Sequence, residues 1–177
     1  LFIFKYFNFF NDTLVTLAQA IHWNYSFAAL QLILPLGLSF HTFQSMSYLI
    51  EVYRRTYPAE RHLGIYALYV MFFPQLIAGP IERPSHLIPQ FKKIISFDKE
   101  NVFSGIRLML WGFFKKVVVA DRLALSVNYV YANLLHLSGP SILFALLGFS
   151  FQLYADFSGY TDIARGSARV LGIDLVR

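Results

Sequence analysis

The chain has 177 residues, 56% of them hydrophobic, 18% aromatic and only 14% charged, with a mean hydropathy of +0.51. A soluble domain of this size cannot bury so much apolar side chain, so the composition points to a bilayer as solvent, with phenylalanine toward lipid tails and tyrosine toward headgroups. The formal charge of +5 comes from basic residues that flank apolar runs without forming a patch, which argues against nucleic acid and fits anionic lipid; the absence of cysteine excludes disulfides, thiolate metal sites and a cysteine nucleophile.

Leu1 lies within apolar sequence and no cleavable signal pattern can be read, so a longer protein cut at both ends is the expectation. Residues 13–50 contain no Asp, Glu, Lys or Arg, about 38 residues against the roughly 20 that one membrane-spanning helix needs. Two segments are expected, divided near Asn24 and Tyr25. The second reads as a helix over residues 27–53, kinked where Pro35 removes a backbone donor close to Gly37. Arg54, Arg55 and Arg61, set against Glu51 and Glu60 with Pro58 between them, mark an exposed connection over residues 53–62.

Residues 63–81 form a further charge-free run of about 19 residues, interrupted by Pro74, Gly79 and Pro80 and flanked on both sides by basic connections. A full crossing here would put those flanks on opposite faces of the membrane, against the positive-inside tendency. A re-entrant segment, broken over residues 73–80 and returning to the cytoplasmic side, is therefore predicted, since irregular backbone is tolerated at depth where it is buried or lines a cavity.

Residues 103–125 read as a helix that carries charges. At about 100° per residue, Arg107, Lys115, Asp121 and Arg122 share about a third of its circumference and Lys116 lies opposite. Such a stripe either snorkels and pairs locally or faces an anionic donor. Residues 123–155 are again charge-free, and Ser138-Gly139-Pro140 divides them into the end of one helix and a new span from about Ile142. From Asp162 onward, Ala164, Ala168 and Gly172 place small side chains on one face, where another helix can approach.

Three polar clusters interrupt this apolar frame. Ser39, His41 and Gln44 lie in the first, with His41 and Gln44 at i and i+3 and so able to face one cavity. The second, residues 72–84, holds prolines and a glycine that free backbone groups for Gln75 or Glu82 to satisfy. The third, residues 152–162, contains Asp156, Ser158 and Tyr160. There Asp156 or Ser158 either caps a following helix, with Gly159 relaxing the turn, or borders a cavity. His22, His62, His86 and His136 sit near proposed ends or loops. No nucleophile elbow, glycine-rich phosphate loop or histidine pair at metal-binding spacing is present.

Taken in order, these clusters resemble the membrane-bound O-acyltransferase family, in the branch of alginate O-acetylation membrane proteins and teichoic-acid D-alanyl transfer proteins. The likeness runs through Phe4-Lys-Tyr-Phe-Asn8, residues 34–44, Tyr48-Leu-Ile-Glu-Val-Tyr-Arg54, residues 73–80, Gly112-Phe-Phe-Lys-Lys116, Ala120-Asp-Arg-Leu-Ala124 and residues 152–162. It implies an all-α, polytopic transmembrane bundle, part of a ring of helices around a tunnel, with these 177 residues as a partial domain. It further implies a multi-pass protein of the cell membrane that holds no cofactor. The acyl donor would be acetyl-CoA or another acyl thioester, delivered free or on an acyl-carrier protein, and the acceptor an extracytoplasmic polysaccharide such as alginate. An extracytoplasmic partner acyltransferase is expected as well.

In such an enzyme a neutral histidine takes the proton from the acceptor hydroxyl. The family's histidine follows a tryptophan and is expected beyond Arg177. His22-Trp23 has the reverse order, and no residue here inherits the role, so the fragment alone is expected to be inactive. Tunnel-lining candidates are His41, Gln44, Gln75, Asp156, Ser158 and Tyr160. Broken helices with intramembrane polar residues also suit a transporter or channel, and a non-catalytic scaffold of an acyl-transfer complex is the third class.

Overall fold

The computed structural model describes residues 2–21, 23, 37–76 and 79–176, and within them every regular element is helical. These are α1 (Phe2–Ala20), α2 (Leu38–Tyr53), α3 (Leu63–Met71), a 3-10 turn (Phe73–Gln75), α4 (Pro84–Phe91) and α5 (Lys99–Phe113). They are followed by a π-helical segment (Phe114–Ala120), α6 (Asp121–Ala132), a second 3-10 turn (Leu134–His136) and α7 (Gly139–Val170). The all-α expectation holds. Of the helix expected over residues 27–53, the structure describes Leu38–Tyr53; the division at Asn24 and Tyr25 and the kink at Pro35 lie outside the described residues. Gly37 precedes α2 with φ +78, and a Cβ there would lie 2.6 Å from the Leu76 carbonyl oxygen, so both conformation and space require glycine.

α3 starts where the His62 ring accepts a hydrogen bond from the Ile65 N–H at 3.3 Å. It has 9 residues, about 14 Å at 1.5 Å per residue, less than half of a hydrocarbon core about 30 Å thick. Pro74 lacks the N–H that would extend it, and Phe72 turns to extended backbone. The chain then doubles back. Fully buried Tyr69 donates its hydroxyl to the Glu82 carbonyl at 2.9 Å, and Leu87 and Ile88 of α4 join Tyr48, Tyr69, Phe72, Ile173 and Leu175 in the core.

The two ends of this hairpin meet in an ion pair, Lys92 Nζ to Glu60 Oε2 at 2.5 Å. The hydrogen bond from Lys92 holds the Glu60 carboxyl below the usual carboxylate range, and the same bond raises Lys92 above the usual lysine range. Glu60, depressed in the fold, stabilises it above the unfolded carboxylate value near 4.3 and ceases to as pH falls through its lower folded value. Lys92, raised in the fold, stabilises it below about 10.4 and ceases to as pH climbs through its higher folded value. Spin labels at Arg61→Cys and Lys93→Cys should therefore keep one short distance by pulsed EPR between about pH 5 and 10 and separate in stronger acid. A distance unchanged in stronger acid would show that another contact closes the hairpin.

α5, the π-helical segment and α6 form one continuous rod that begins at the Asp98 cap, where Oδ1 accepts from the Glu100 N–H at 3.0 Å. Within it, Asp121 N–H donates to the Lys116 carbonyl, an i to i−5 bond. The rod packs against α7, and glycines set the spacing. A Cβ on Gly105 would lie 2.6 Å from the Gly166 carbonyl oxygen, and one on Gly112 would lie 2.7 Å from that of Gly159. Since 105 faces 166 and 112 faces 159, the two helices are antiparallel. Ala164 and Ala168 of the expected small-residue face are buried, whereas Gly172 lies beyond α7 at φ +78, against Ile95.

α7 starts at Ser138 with Pro140 in its first turn, where the sequence divides, and continues for 32 residues. The expected break near Asp156 and Ser158 does not occur. Neither residue caps a helix, because both find partners on the neighbouring rod, described below. Among the described residues, α7 is the one helix long and apolar enough to cross a membrane. Its Leu143, Phe144, Phe151 and Tyr154 stand outward, each more than half exposed.

After Gly172 the chain runs extended along α4. Gln90 pairs with Asp174 in both directions, Nε2 to the carbonyl and Oε1 from the N–H, each at 2.9 Å. Buried Glu82 accepts from the Val176 N–H at 2.5 Å through Oε1 and meets His86 Nδ1 at 2.9 Å through Oε2. Glu82→Ala should lower stability by about 2–3 kcal/mol, the worth of hydrogen bonds to a charged group whose partners are left buried, and open the C-terminal segment to protease first. Cleavage no faster than in the parent protein would show that Glu82 does not hold it.

Candidate functional site

The first group of polar side chains lines a narrow cleft. Phe40, His41 and Gln44 come from α2, Val70 from α3, Gln75 and Leu76 from the break that follows, and Pro80 from the returning segment. His41 and Gln44 share this cleft, as their spacing predicts. Gln75 is buried, and its Nε2 donates to the Tyr69 carbonyl at 3.3 Å, a group exposed by the end of α3. Among the described residues, buried Gln44 Nε2 and Gln75 Oε1 have no hydrogen-bond partner. An unpaired buried amide group costs about 1–3 kcal/mol, and the cleft beside them, of about 10 Å³, has room for a single water-sized guest.

The second group lies where the π-helical segment crosses α7. Lys115 Nζ donates to Ser158 Oγ at 2.5 Å, to the Ser158 carbonyl at 3.3 Å and to Asp162 Oδ2 at 2.5 Å. Lys116 Nζ lies 2.8 Å from Asp121 Oδ1 and 2.6 Å from Asp156 Oδ1, the latter at ion-pair distance without hydrogen-bond alignment. It also sits over the Tyr160 ring, 5.2 Å from its centroid. Arg165 Nη1 reaches Asp162 Oδ1 at 3.7 Å.

The π turn corrects the expected stripe. Lys116 is expected opposite the stripe, but the i to i−5 turn sets it beside Asp121, five residues on, and the ammonium groups of both Lys115 and Lys116 meet α7. Arg107 and Arg122 remain exposed. Lys115, Lys116 and Arg165 offset Asp121, Asp156 and Asp162, three charges against three. The network is neutral, which favours local pairing over attraction of an anionic donor, although among the described residues Asp156 Oδ1 and Arg165 Nε have no hydrogen-bond partner.

The six candidates thus fall into two sets: His41, Gln44 and Gln75 around the cleft, and Asp156, Ser158 and Tyr160 at the junction of the rod with α7. The 3-10 turn that carries Gln75 also packs on α7, so both sets lie along one helix. Lys115 and Lys116, which organise the second set, are not among the six tunnel-lining residues expected from the sequence. Their adjacency to Gly112 and the acidic spacing of Asp156 and Asp162 are the signals that point to them.

No model of a known protein family matches the chain, but individual curated proteins do. The probable alginate O-acetylase of Pseudomonas putida is 39% identical over 170 residues, which cover 96% of this chain and 34% of that protein. The peptidoglycan O-acetyltransferase of Helicobacter pylori is 36% identical over 200 residues, 97% of this chain and 37% of its own length. The teichoic acid D-alanyltransferase of Bacillus subtilis is 29% identical over 145 residues, 78% of this chain and 35% of that protein. The chain spans about a third of the length of these relatives.

Proposed function

Because the chain belongs to the membrane-bound O-acyltransferase family, we propose that it forms part of the tunnel wall of an integral membrane O-acetyltransferase acting on an extracytoplasmic polysaccharide. The observation that carries this reading is the 39% identity to a protein named as an alginate O-acetylase, continuous over 96% of the chain. Acetyl is preferred over D-alanyl because the two acetyl-transferring relatives are 39% and 36% identical and the D-alanyltransferase 29%.

The reaction is an acyl transfer. An acceptor hydroxyl attacks the carbonyl of acetyl-CoA or another acyl thioester, a neutral histidine supplied outside these 177 residues takes the hydroxyl proton, and the thiol leaves with it. Donors aimed at the developing oxyanion lower the barrier, most effectively where water is excluded. Within this chain Gln44 Nε2 is the donor proposed for this role and Gln75 Oε1 the acceptor proposed to orient the hydroxyl, each buried and without a partner among the described residues. No bound cofactor is invoked. A carrier protein bearing the acyl group and an extracytoplasmic partner acyltransferase complete the pathway.

In the full-length protein, Gln44→Ala should reduce acetyl incorporation into the polysaccharide about a hundredfold, the lower range for loss of one transition-state donor, and Gln75→Ala, which removes an acceptor that orients the hydroxyl, should reduce it as well, both at unchanged protein level. Full incorporation in both variants, with assembly failing only when helix faces are altered, would instead make the chain a scaffold.

The α3–α4 hairpin is read as re-entrant, entering the membrane from one face and leaving by the same face, within a multi-pass protein. A helix of 9 residues and the Glu60–Lys92 pair support this. An impermeant maleimide should label Arg61→Cys and Lys93→Cys from the same side. Labelling from opposite sides would defeat the reading.

A further inference from the structure

A groove of about 540 Å³ runs along α2, outside the cleft and the charge network described above. Its α2 wall is a single helical stripe, Phe43, Met46 with Ser47, Ile50 with Glu51, then Arg54, at the i, i+3, i+4, i+7 spacing of one face. From residue 43 to residue 54 this stripe extends about 16 Å at 1.5 Å per residue, and its character changes along the way. The Phe43 end is apolar and the Arg54 end is cationic. The opposite wall supplies Ile81 and Arg83. Neither guanidinium has an ion-pair partner among the described residues, whereas the nearby loop acids Glu60 and Glu82 are already engaged by Lys92 and by His86 and Val176.

An occupant of this groove has to be amphiphilic, with an anion between the two arginines and an apolar chain along Phe43, Met46 and Ile50. Guanidinium groups present a fork of donors that matches phosphate oxygens, and a volume of this size suits a small ligand or one lipid chain. Arg54 and Arg83 less Glu51 leave one net positive charge, the complement of a phosphodiester monoanion rather than of a polyanionic coenzyme. The basic connection carrying Arg54 and Arg55 is where headgroups of an anionic leaflet would lie.

We propose that the groove between α2 and residues 81–85 binds one anionic phospholipid, its phosphodiester held by Arg54 and Arg83 and one acyl chain laid along Phe43, Met46 and Ile50. The proposal rests on the chain being membrane-embedded, and it is independent of acyl transfer and of the acceptor.

The test uses the full-length protein, delipidated in detergent and titrated with phosphatidylglycerol or phosphatidylcholine, with retained lipid counted by native mass spectrometry. One phosphatidylglycerol should be retained, phosphatidylcholine should bind more weakly, and R54Q/R83Q should lower phosphatidylglycerol affinity about tenfold or more, as expected for two lost charge-assisted contacts. Met46→Trp, which fills the apolar end and leaves both arginines in place, should weaken retention as well. Equal retention by the parent protein and both variants overturns the proposal. Displacement of the lipid by an equal concentration of phosphopantetheine also overturns it and assigns the groove to an acyl-donor arm. Crosslinking of Met46→Cys to another segment of the same polypeptide in nanodiscs overturns it in favour of a protein occupant. None of these outcomes depends on acetyl incorporation, so this site and the enzymatic reading stand or fall separately.

Discussion

Gly112→Leu is expected to separate α5 from α7 rather than merely loosen their contact. A Cβ at residue 112 would lie 2.7 Å from the Gly159 carbonyl oxygen and 2.9 Å from the Ile163 backbone nitrogen. Both are backbone atoms and cannot rotate aside, so the helices themselves must move. Movement here also opens the Gly105–Gly166 contact two turns away. Overpacking typically costs about 1–3 kcal/mol and more where the backbone has to shift, so a loss of about 3 kcal/mol or more is expected in thermal unfolding followed by circular dichroism in detergent. Gly139→Ala is the control, because no heavy atom lies within 4 Å of its added Cβ, and its effect should stay within about 0.5 kcal/mol. A Gly112→Leu protein melting with the control would refute the close-packed antiparallel pair.

The second large effect is expected at Lys115. Its ammonium and the Asp162 carboxylate are 16% and 13% exposed, so removing one partner leaves a charge that water screens poorly. Breaking such a pair costs about 3–5 kcal/mol when the remaining charge has no substitute. Here Arg165 stands 3.7 Å from the other Asp162 oxygen and can take over part of the load, which places Lys115→Met near the lower end, about 3 kcal/mol. Lys115→Met with Asp162→Asn removes both charges and should recover at least half of that loss, a coupling that a double-mutant cycle reads directly. Simple additivity of the two single substitutions would mean that the contact contributes nothing. Lys116→Met should cost less, because Asp121 is 50% exposed and returns to solvent.

Local chemistry explains what could be read from the chain alone. Ser138-Gly139-Pro140 marks the start of α7 because a proline is tolerated in a first turn and not later, and Pro74 stops α3 for the complementary reason. Gln75 could be named as a satisfier of freed backbone because a helix that ends at depth leaves carbonyls needing donors. The features that escaped were those decided by distant partners. Asp156 and Ser158 look like a helix start until Lys115 and Lys116, about 40 residues earlier, are known to face them. The π turn has no proline or glycine to announce it, and it brings Lys116 round to Asp121 and Asp156. Gly105, Gly112, Gly159 and Gly166 form two matched pairs only once α5 and α7 are paired.

The bonds from Glu82 to Val176 and from Gln90 to Asp174 join residues 94 and 84 positions apart. At a synthesis rate of about 5–20 residues per second, the α3–α4 hairpin is complete roughly 5–20 s before the segment that closes it has been made. Throughout that interval one carboxylate oxygen of Glu82 and the amide oxygen of Gln90 must be satisfied by water, by lipid headgroups or by the insertion machinery, while Gln90 Nε2 keeps its bond to the His86 carbonyl at 3.2 Å. The hairpin is therefore exposed to quality control during biogenesis, and substitutions at Glu82 or Gln90 should register as lost protein in the membrane before they register as lost activity.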